Sequence, residues 1–123
     1  MAIGRQIIAS VVGIAAAGGI IAVTEAIGHG AASGEAIFGT TIAGYGIGCA
    51  VGTFIATMIA GRAVSMVLPV ALAILAAINL FSFPHPWWFA PAGVIALGTG
   101  WLFGRSLAVR LAERRTLSDR VGR

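Results

Sequence analysis

Residues 36–60 read AIFGTTIAGYGIGCAVGTFIATMIA, an uninterrupted run without a charged side chain. A helix rises about 1.5 Å per residue, so roughly 20 residues cross the hydrocarbon of a bilayer that is about 30 Å thick. The run is long enough for this, and Gly61-Arg62 connects it to another apolar run. The stretch therefore predicts a transmembrane helix that turns tightly into a second one.

Three further apolar runs have similar length, and they cover residues 6–27, 63–83 and 88–108. With residues 36–60 they predict an all-α integral membrane four-helix bundle, a single transmembrane domain over 1–123 that ends in a basic tail, 109–123. The first run resembles a signal peptide because Arg5 precedes it, but its apolar stretch is longer than the roughly 7–15 residues typical of a cleaved signal. We therefore expect this run to stay as a helix, whereas cleavage would leave three helices.

Composition excludes a soluble domain, because 59% of the residues are hydrophobic and only 10% are charged. The single cysteine, Cys49, lies within an apolar run and cannot form an internal disulfide. A pI near 11.2 suggests nucleic acid as a partner, but the arginines flank apolar runs rather than forming a binding face. We expect no nucleic acid partner.

Basic residues indicate the orientation, since they are enriched in the cytoplasmic loops of membrane proteins. All of them fall on one side of the four-segment pattern: Arg5, Arg62, Arg105, Arg110, Arg114, Arg115, Arg120 and Arg123. Four crossings return both termini to the same side, so the predicted topology is N-in and C-in. The clustered arginines of the C-terminal tail also predict contact with anionic lipids at the cytoplasmic face.

Small residues recur at intervals of four in three of the predicted helices. Helix association in lipid depends on such residues, because they let two backbones approach closely. They are Gly44, Gly48, Gly52, Ala56 and Ala60 in the second helix, Ala9, Gly13 and Ala17 in the first, and Ala96, Gly100 and Gly104 in the fourth. The pattern predicts internal packing through Gly44, Gly48 and Gly52, with the seam of a homodimer as the alternative. Pro69 predicts a kink in the third helix.

Polar side chains gather at the other side of the pattern, away from the arginines. Glu25 and His29 lie four residues apart at the end of the first helix and share a face. Asn79 precedes the end of the third helix, and His85 lies between two prolines. Glu35 opens the second helix, where the helix dipole favours a carboxylate. We expect Glu25, His29, Asn79 and His85 to form one polar cluster at the outer face.

Three functions of this cluster remain open from the sequence. In the first, the cluster is a hydrogen-bonded contact between helices, because charged groups at membrane depth need partners. In the second, Glu25, His29 and His85 bind a divalent metal. In the third, Glu25 titrates in a permeation path. Catalysis has no candidate residues, since the sequence contains no phosphate-binding loop and no nucleophile with a paired base. We expect no cofactor and no enzymatic activity.

Two motifs carry a resemblance to a known group of proteins. Glu25-Ala-Ile-Gly28-His29 matches the pattern E-x-x-G-H, and the stretch from Asn79 to Phe89 matches N-x4-P-H-P-x-W-F. Both are similar to motifs of small uncharacterised bacterial membrane proteins with four helices, although residues 30–33 depart from the family's tyrosine and prolines. The resemblance implies a multi-pass protein of the bacterial inner (plasma) membrane and brings no activity with it.

The sequence thus predicts a small membrane protein with a structural or accessory role, possible self-association and no enzymatic activity. The alternative is a small oligomeric transporter or channel that uses Glu25. A membrane protein that binds a divalent metal is third.

Overall fold

The computed structural model describes residues 2–122, and the chain is all-α over this range. Four α-helices follow one another, with a short 3-10 turn, Arg62–Val64, before the third. They are α1 (Ala2–Ala31), α2 (Ala36–Ala60), α3 (Val67–Ser82) and α4 (Phe89–Val121). Four segments of the chain are long and apolar enough to cross a membrane. The predicted four-helix fold is confirmed, and the helices indicate a multi-pass membrane protein.

Two helices are longer than their apolar runs. Helix α1 begins at Ala2 and ends at Ala31, and α4 continues without a break to Val121. The basic tail is therefore helical from residue 109 to Val121. With its 33 residues, α4 is about 50 Å long and exceeds the roughly 30 Å of hydrocarbon, so its C-terminal turns extend beyond the membrane core.

The connection between α2 and α3 differs from the prediction. Gly61 stops α2 with φ of +82°, a conformation that side chains other than glycine rarely adopt. The 3-10 turn follows, and α3 begins only at Val67, so Pro69 lies in the first turn of the helix. Backbone N–H groups in a first turn have no partner within the helix, and proline is tolerated there. The predicted kink at Pro69 is wrong, because no bond within α3 is lost.

Helix α2 is the centre of the bundle. Glycines on one of its faces meet α1, and Gly46 and Ala50 on the opposite face meet α4. Helix α3 is peripheral and packs through Leu68 and Leu72, the two residues of this helix that are fully buried. Three helices thus form a close-packed layer, and α3 covers part of it.

The two ends of the bundle have different chemistry. At the arginine end, the Arg5 Nε donates a hydrogen bond to the carbonyl of Ile59 in the last turn of α2, and the Arg62 guanidinium lies 3.4 Å from the Glu113 carboxylate. At the opposite end, which we call the aromatic end, lie Phe38, His85, Trp88 and Phe89. The helices therefore run alternately up and down, and the first and last helical turns lie at the arginine end.

Candidate functional site

The small-residue face of α2 lies directly against α1. A Cβ atom added at Gly52 would lie 2.6 Å from the carbonyl oxygen of Gly13, and one at Gly48 would lie 2.9 Å from that of Ala17. Because those atoms are backbone, neither could move aside cheaply. At Gly44, an added Cβ would meet the side chain of Thr24. The structure thus places the three glycines that the sequence analysis selected inside the bundle, so they are not free to form the seam of a homodimer.

A second close approach joins the opposite face of α2 to α4. Added Cβ atoms at Gly100 and Gly104 would overlap the carbonyl oxygens of Gly46 and Ala50, respectively. No side chain larger than hydrogen fits at either position without moving the helices apart. The axis of the bundle is therefore closed by backbone contacts on both sides of α2.

A hydrogen bond between two side chains joins Asn79 to Tyr45. The Asn79 amide donates a hydrogen bond to the Tyr45 hydroxyl over 3.3 Å and links α3 to α2. The Tyr45 ring is 5% exposed and packs edge-on against Phe89. Asn79 was predicted from the sequence as a member of the polar cluster, whereas Tyr45 was not. The signal was present in the chain, because a buried tyrosine hydroxyl usually finds a hydrogen-bond partner.

His85 belongs to an aromatic cluster rather than to a polar one. Its ring centroid lies 4.4 Å from that of Phe89 and 5.3 Å from that of Phe38. Its Nδ1 lies 2.7 Å from the carbonyl oxygen of Phe83. Because a carbonyl oxygen only accepts hydrogen bonds, Nδ1 carries a proton in this contact. The ring is thus oriented by its own loop and by two phenylalanines.

Glu25 and His29 do not complete the predicted cluster. Glu25 is half-buried on α1, within Coulombic range of the Tyr45 hydroxyl, and His29 is exposed. Across residues 2–122, no hydrogen bond joins Glu25 to His29, Asn79 or His85. Direct hydrogen bonds do not join the predicted cluster within residues 2–122, because two of its members have other partners. Asn79 bonds to Tyr45, and His85 bonds to its own loop.

The proposed metal ligands are not brought together either. Within the described residues, no three side chains of His, Cys, Asp or Glu form a group that could hold a metal ion. Glu25, His29 and His85 therefore lack the geometry of a first coordination shell, which needs three or four converging ligands. Glu35, the other carboxylate at the aromatic end, instead accepts a hydrogen bond from the Trp88 indole at 3.4 Å.

Polar side chains in the bundle interior mostly bond to their own helix. The hydroxyls of Thr40 and Thr41 both donate to the carbonyl of Ile37, and the Cys49 thiol lies 3.9 Å from the Thr53 hydroxyl. Such contacts satisfy a hydroxyl without requiring another helix or water. The Thr57 hydroxyl is an exception, since it is buried and has no partner among the described residues.

A lateral cleft of about 140 Å³ opens between α3 and α4 in the half of the bundle nearer the aromatic end. Its walls are mainly alanine and glycine, including Ala73, Ala77 and Gly93, and Tyr45 lies at its edge. The cleft is nearly free of polar surface. It is therefore suited to apolar groups from the bilayer and not to an ion.

Comparison of the chain with protein-family models, with curated proteins and with solved structures finds no match. Four features of the geometry bear on function: a closed helical layer, one Tyr–Asn bond between helices, a half-buried carboxylate and two differently charged ends. The chemistry that this arrangement offers is packing, lipid contact and, at Glu25, a half-buried carboxylate.

Proposed function

We propose that this chain is a structural or accessory protein of the bacterial inner (plasma) membrane and that it catalyses no reaction. The observation that carries the proposal is the backbone contact of α2 with both α1 and α4 at Gly13, Gly52, Gly46 and Gly100. A transport path along the bundle axis needs polar side chains and space, whereas this axis is filled by peptide groups. The geometry therefore supports a compact membrane-embedded body better than a pore.

The proposed orientation places the arginine end in the cytoplasm. The positive-inside rule applies to arginines close to the ends of transmembrane helices, and Arg5 and Arg62 occupy that position. At the aromatic end, Trp87 and Trp88 lie where indole rings prefer to sit, at the level of the lipid headgroups. We propose anionic lipids as partners of the basic C-terminal helix and self-association as a possible further interaction.

Reconstitution into liposomes tests the proposal. Purified protein is inserted into vesicles that contain a pH-sensitive or a potassium-sensitive dye, and a proton gradient or a potassium gradient is applied. We expect both gradients to decay at the rate of protein-free vesicles. Gradient dissipation that scales with the protein-to-lipid ratio would contradict the accessory role and favour transport.

The second candidate is a small oligomeric transporter or channel that uses Glu25. One observation favours it: the Glu25 carboxylate is half-buried within a membrane-spanning helix and has no direct hydrogen bond in residues 2–122. Ionisable groups at such depth commonly mark proton or substrate paths. If vesicles carrying the protein lose a proton gradient, Glu25→Gln should abolish the flux. Glu35→Gln, which removes the exposed carboxylate at the same end, should leave it unchanged.

A further inference from the structure

Three arginines line one cleft at the arginine end of the bundle. Arg62 comes from the 3-10 turn, whereas Arg105 and Arg110 come from α4. The cleft measures about 270 Å³, and Ser106 adds a hydroxyl to its polar lining. Arginine side chains bind phosphate oxygens with two parallel N–H donors, which makes a group of them a strong anion-binding surface.

The net charge of the side chains around the cleft is positive even when the nearby Glu113 carboxylate is counted. Glu113 lies 3.4 Å from Arg62, but both side chains are more than 60% exposed. An ion pair that is so open to solvent is weak, so Arg62 can exchange this partner for another anion. The Arg105 guanidinium lies 5.4 Å from the centre of the Trp101 ring, a contact that holds it beside the helix.

We expect the cleft to lie close to the lipid phosphates, because of its distance along α4 from the aromatic end. Trp88 marks the headgroup level at the aromatic end, and Arg105 and Arg110 follow it along α4 by about 26 Å and 33 Å at 1.5 Å per residue. The hydrocarbon is about 30 Å thick, so the two arginines lie on either side of its far boundary. Phosphate groups of the lipid leaflet at the arginine end lie several ångströms beyond that boundary, where the long arginine side chains can reach them.

An apolar groove leads from this cleft toward the middle of the bilayer. The groove measures about 350 Å³ and shares Leu102, Ser106 and Arg110 with the cleft. It continues along α4 past Phe103 to Thr99, which is closer to the membrane centre. A charged cleft that opens into an apolar groove has the two-part shape of a phospholipid, with a headgroup and an acyl chain.

We propose that this composite surface binds one anionic phospholipid, whose phosphate contacts Arg62, Arg105 and Arg110 and whose acyl chain lies along Leu102 and Phe103. Basic pockets between transmembrane helices on the cytoplasmic side are suited to such headgroups. A nucleic acid or a free phosphate would use the arginines alone and would leave the adjoining groove empty. The inference rests on the proposed residence in the bilayer, which extraction of membranes at alkaline pH tests separately.

Binding of fluorescent phosphatidylglycerol to the detergent-solubilised full chain tests the proposal, with fluorescent phosphatidylcholine as the reference lipid. We expect phosphatidylglycerol to bind at least about tenfold more tightly, because both lipids offer a phosphodiester to the arginines but the quaternary ammonium of phosphatidylcholine adds a positive charge that the arginines repel. The triple variant Arg62→Gln/Arg105→Gln/Arg110→Gln should reduce the preference to about twofold or less. That remaining preference would come from general attraction between the other positive charges and the anionic lipid. Equal affinity of the wild type for both lipids would overturn the proposal.

A matched variant separates the site from general attraction by the basic tail. Arg114→Gln/Arg115→Gln/Arg120→Gln removes the same charge from exposed positions on the same helix, outside the cleft, and should retain the preference. If both triple variants lose it equally, the tail as a whole attracts lipid and no site exists. If a triple variant fails to fold, the single variants Arg110→Gln and Arg114→Gln provide the same comparison between a cleft arginine and a tail arginine.

Two further measurements test the acyl part of the proposal. Leu102→Ser/Phe103→Ser changes side chains that are 55% and 65% exposed and should weaken phosphatidylglycerol binding without unfolding the bundle. Glycerol phosphate or a DNA oligonucleotide at the same concentration should not displace the labelled lipid. Displacement by either would show that the arginines bind soluble phosphates, and it would contradict a lipid site while leaving the accessory role intact.

Discussion

The Asn79 amide donates a hydrogen bond to the Tyr45 hydroxyl over 3.3 Å, and this contact joins α3 to the central helix α2. Helix α3 is peripheral and lacks the glycine faces that hold α1 and α4 against α2. Inside lipid, a hydrogen bond between helices has no water to replace it. The Tyr45–Asn79 pair therefore helps to determine how α3 is placed on the bundle.

Removal of this bond should loosen α3. We expect Tyr45→Phe to lower the free energy of unfolding by about 1 kcal/mol, because the ring stays packed while its hydroxyl is lost. Asn79→Ala should cost a similar amount or more. Unfolding in detergent, followed by circular dichroism, measures both. In the double variant the two losses should not add, and strictly additive losses would show that the two side chains are not coupled.

The contact between α1 and α2 should be sensitive to a single methyl group. We expect Gly52→Ala to destabilise the bundle by about 1–3 kcal/mol, because its Cβ would press against the Gly13 carbonyl and force two backbones apart. Gly19→Ala is the matched control on α1. Its Cβ would meet nothing within 4 Å, so better helix propensity should leave stability unchanged or raise it by up to about 1 kcal/mol.

The measurement is again the free energy of unfolding, compared between these two variants in one detergent. The two substitutions are chemically identical, and only Gly52→Ala is expected to lower the free energy of unfolding. If Gly52→Ala were as stable as the wild type, α1 and α2 would be farther apart than the backbone contact at Gly13 requires.

The fold could be predicted from the sequence because its signals are local and redundant. Each apolar run is long enough to span a bilayer, and Gly61 with Arg62 separates two of them without ambiguity. The helix boundaries were less accurate where the signal was weak. Pro69 suggested a kink, but the sequence alone does not distinguish a proline inside a helix, which kinks it, from a proline in its first turn, which does not.

The predicted outer cluster shows why side-chain partners are harder to infer. Asn79 was correctly expected to bond across helices. Whether it bonds to Tyr45 or to Glu25 depends on the rotational position of α2 about its own axis, which the sequence does not give. His85 was chosen for its polarity, whereas its ring packs on Phe38 and Phe89 and its Nδ1 bonds to its own loop. Polarity selects residues that need partners, and only the packing of the helices selects which partners they find.

Zinc should have no effect on stability. Within residues 2–122, Glu25, His29 and His85 do not converge on one site. A metal ion raises the stability of the folded state only when it binds that state in preference to the unfolded chain, and this needs such a site. We expect the melting temperature in detergent to be the same with zinc chloride and with a chelator. A rise with zinc in the wild type that disappears in both His29→Ala and His85→Ala would restore the metal-binding interpretation.

Reporter fusions should place the arginine end in the cytoplasm. Arg5 bonds to the last turn of α2, and Arg62 lies beside Glu113 of α4, so one end of the bundle carries the basic residues of α1, the 3-10 turn and α4. Moving this end across the membrane would require several arginines to cross the hydrocarbon, each at a cost of about 2.5–3.5 kcal/mol on insertion scales.

An alkaline phosphatase fused after Arg123 should be inactive, because that enzyme matures only outside the cytoplasm. The same reporter fused after Pro86, between α3 and α4, should be active and serves as the control. Activity of the Arg123 fusion together with inactivity of the Pro86 fusion would invert the bundle, and activity of both would reduce the number of crossings.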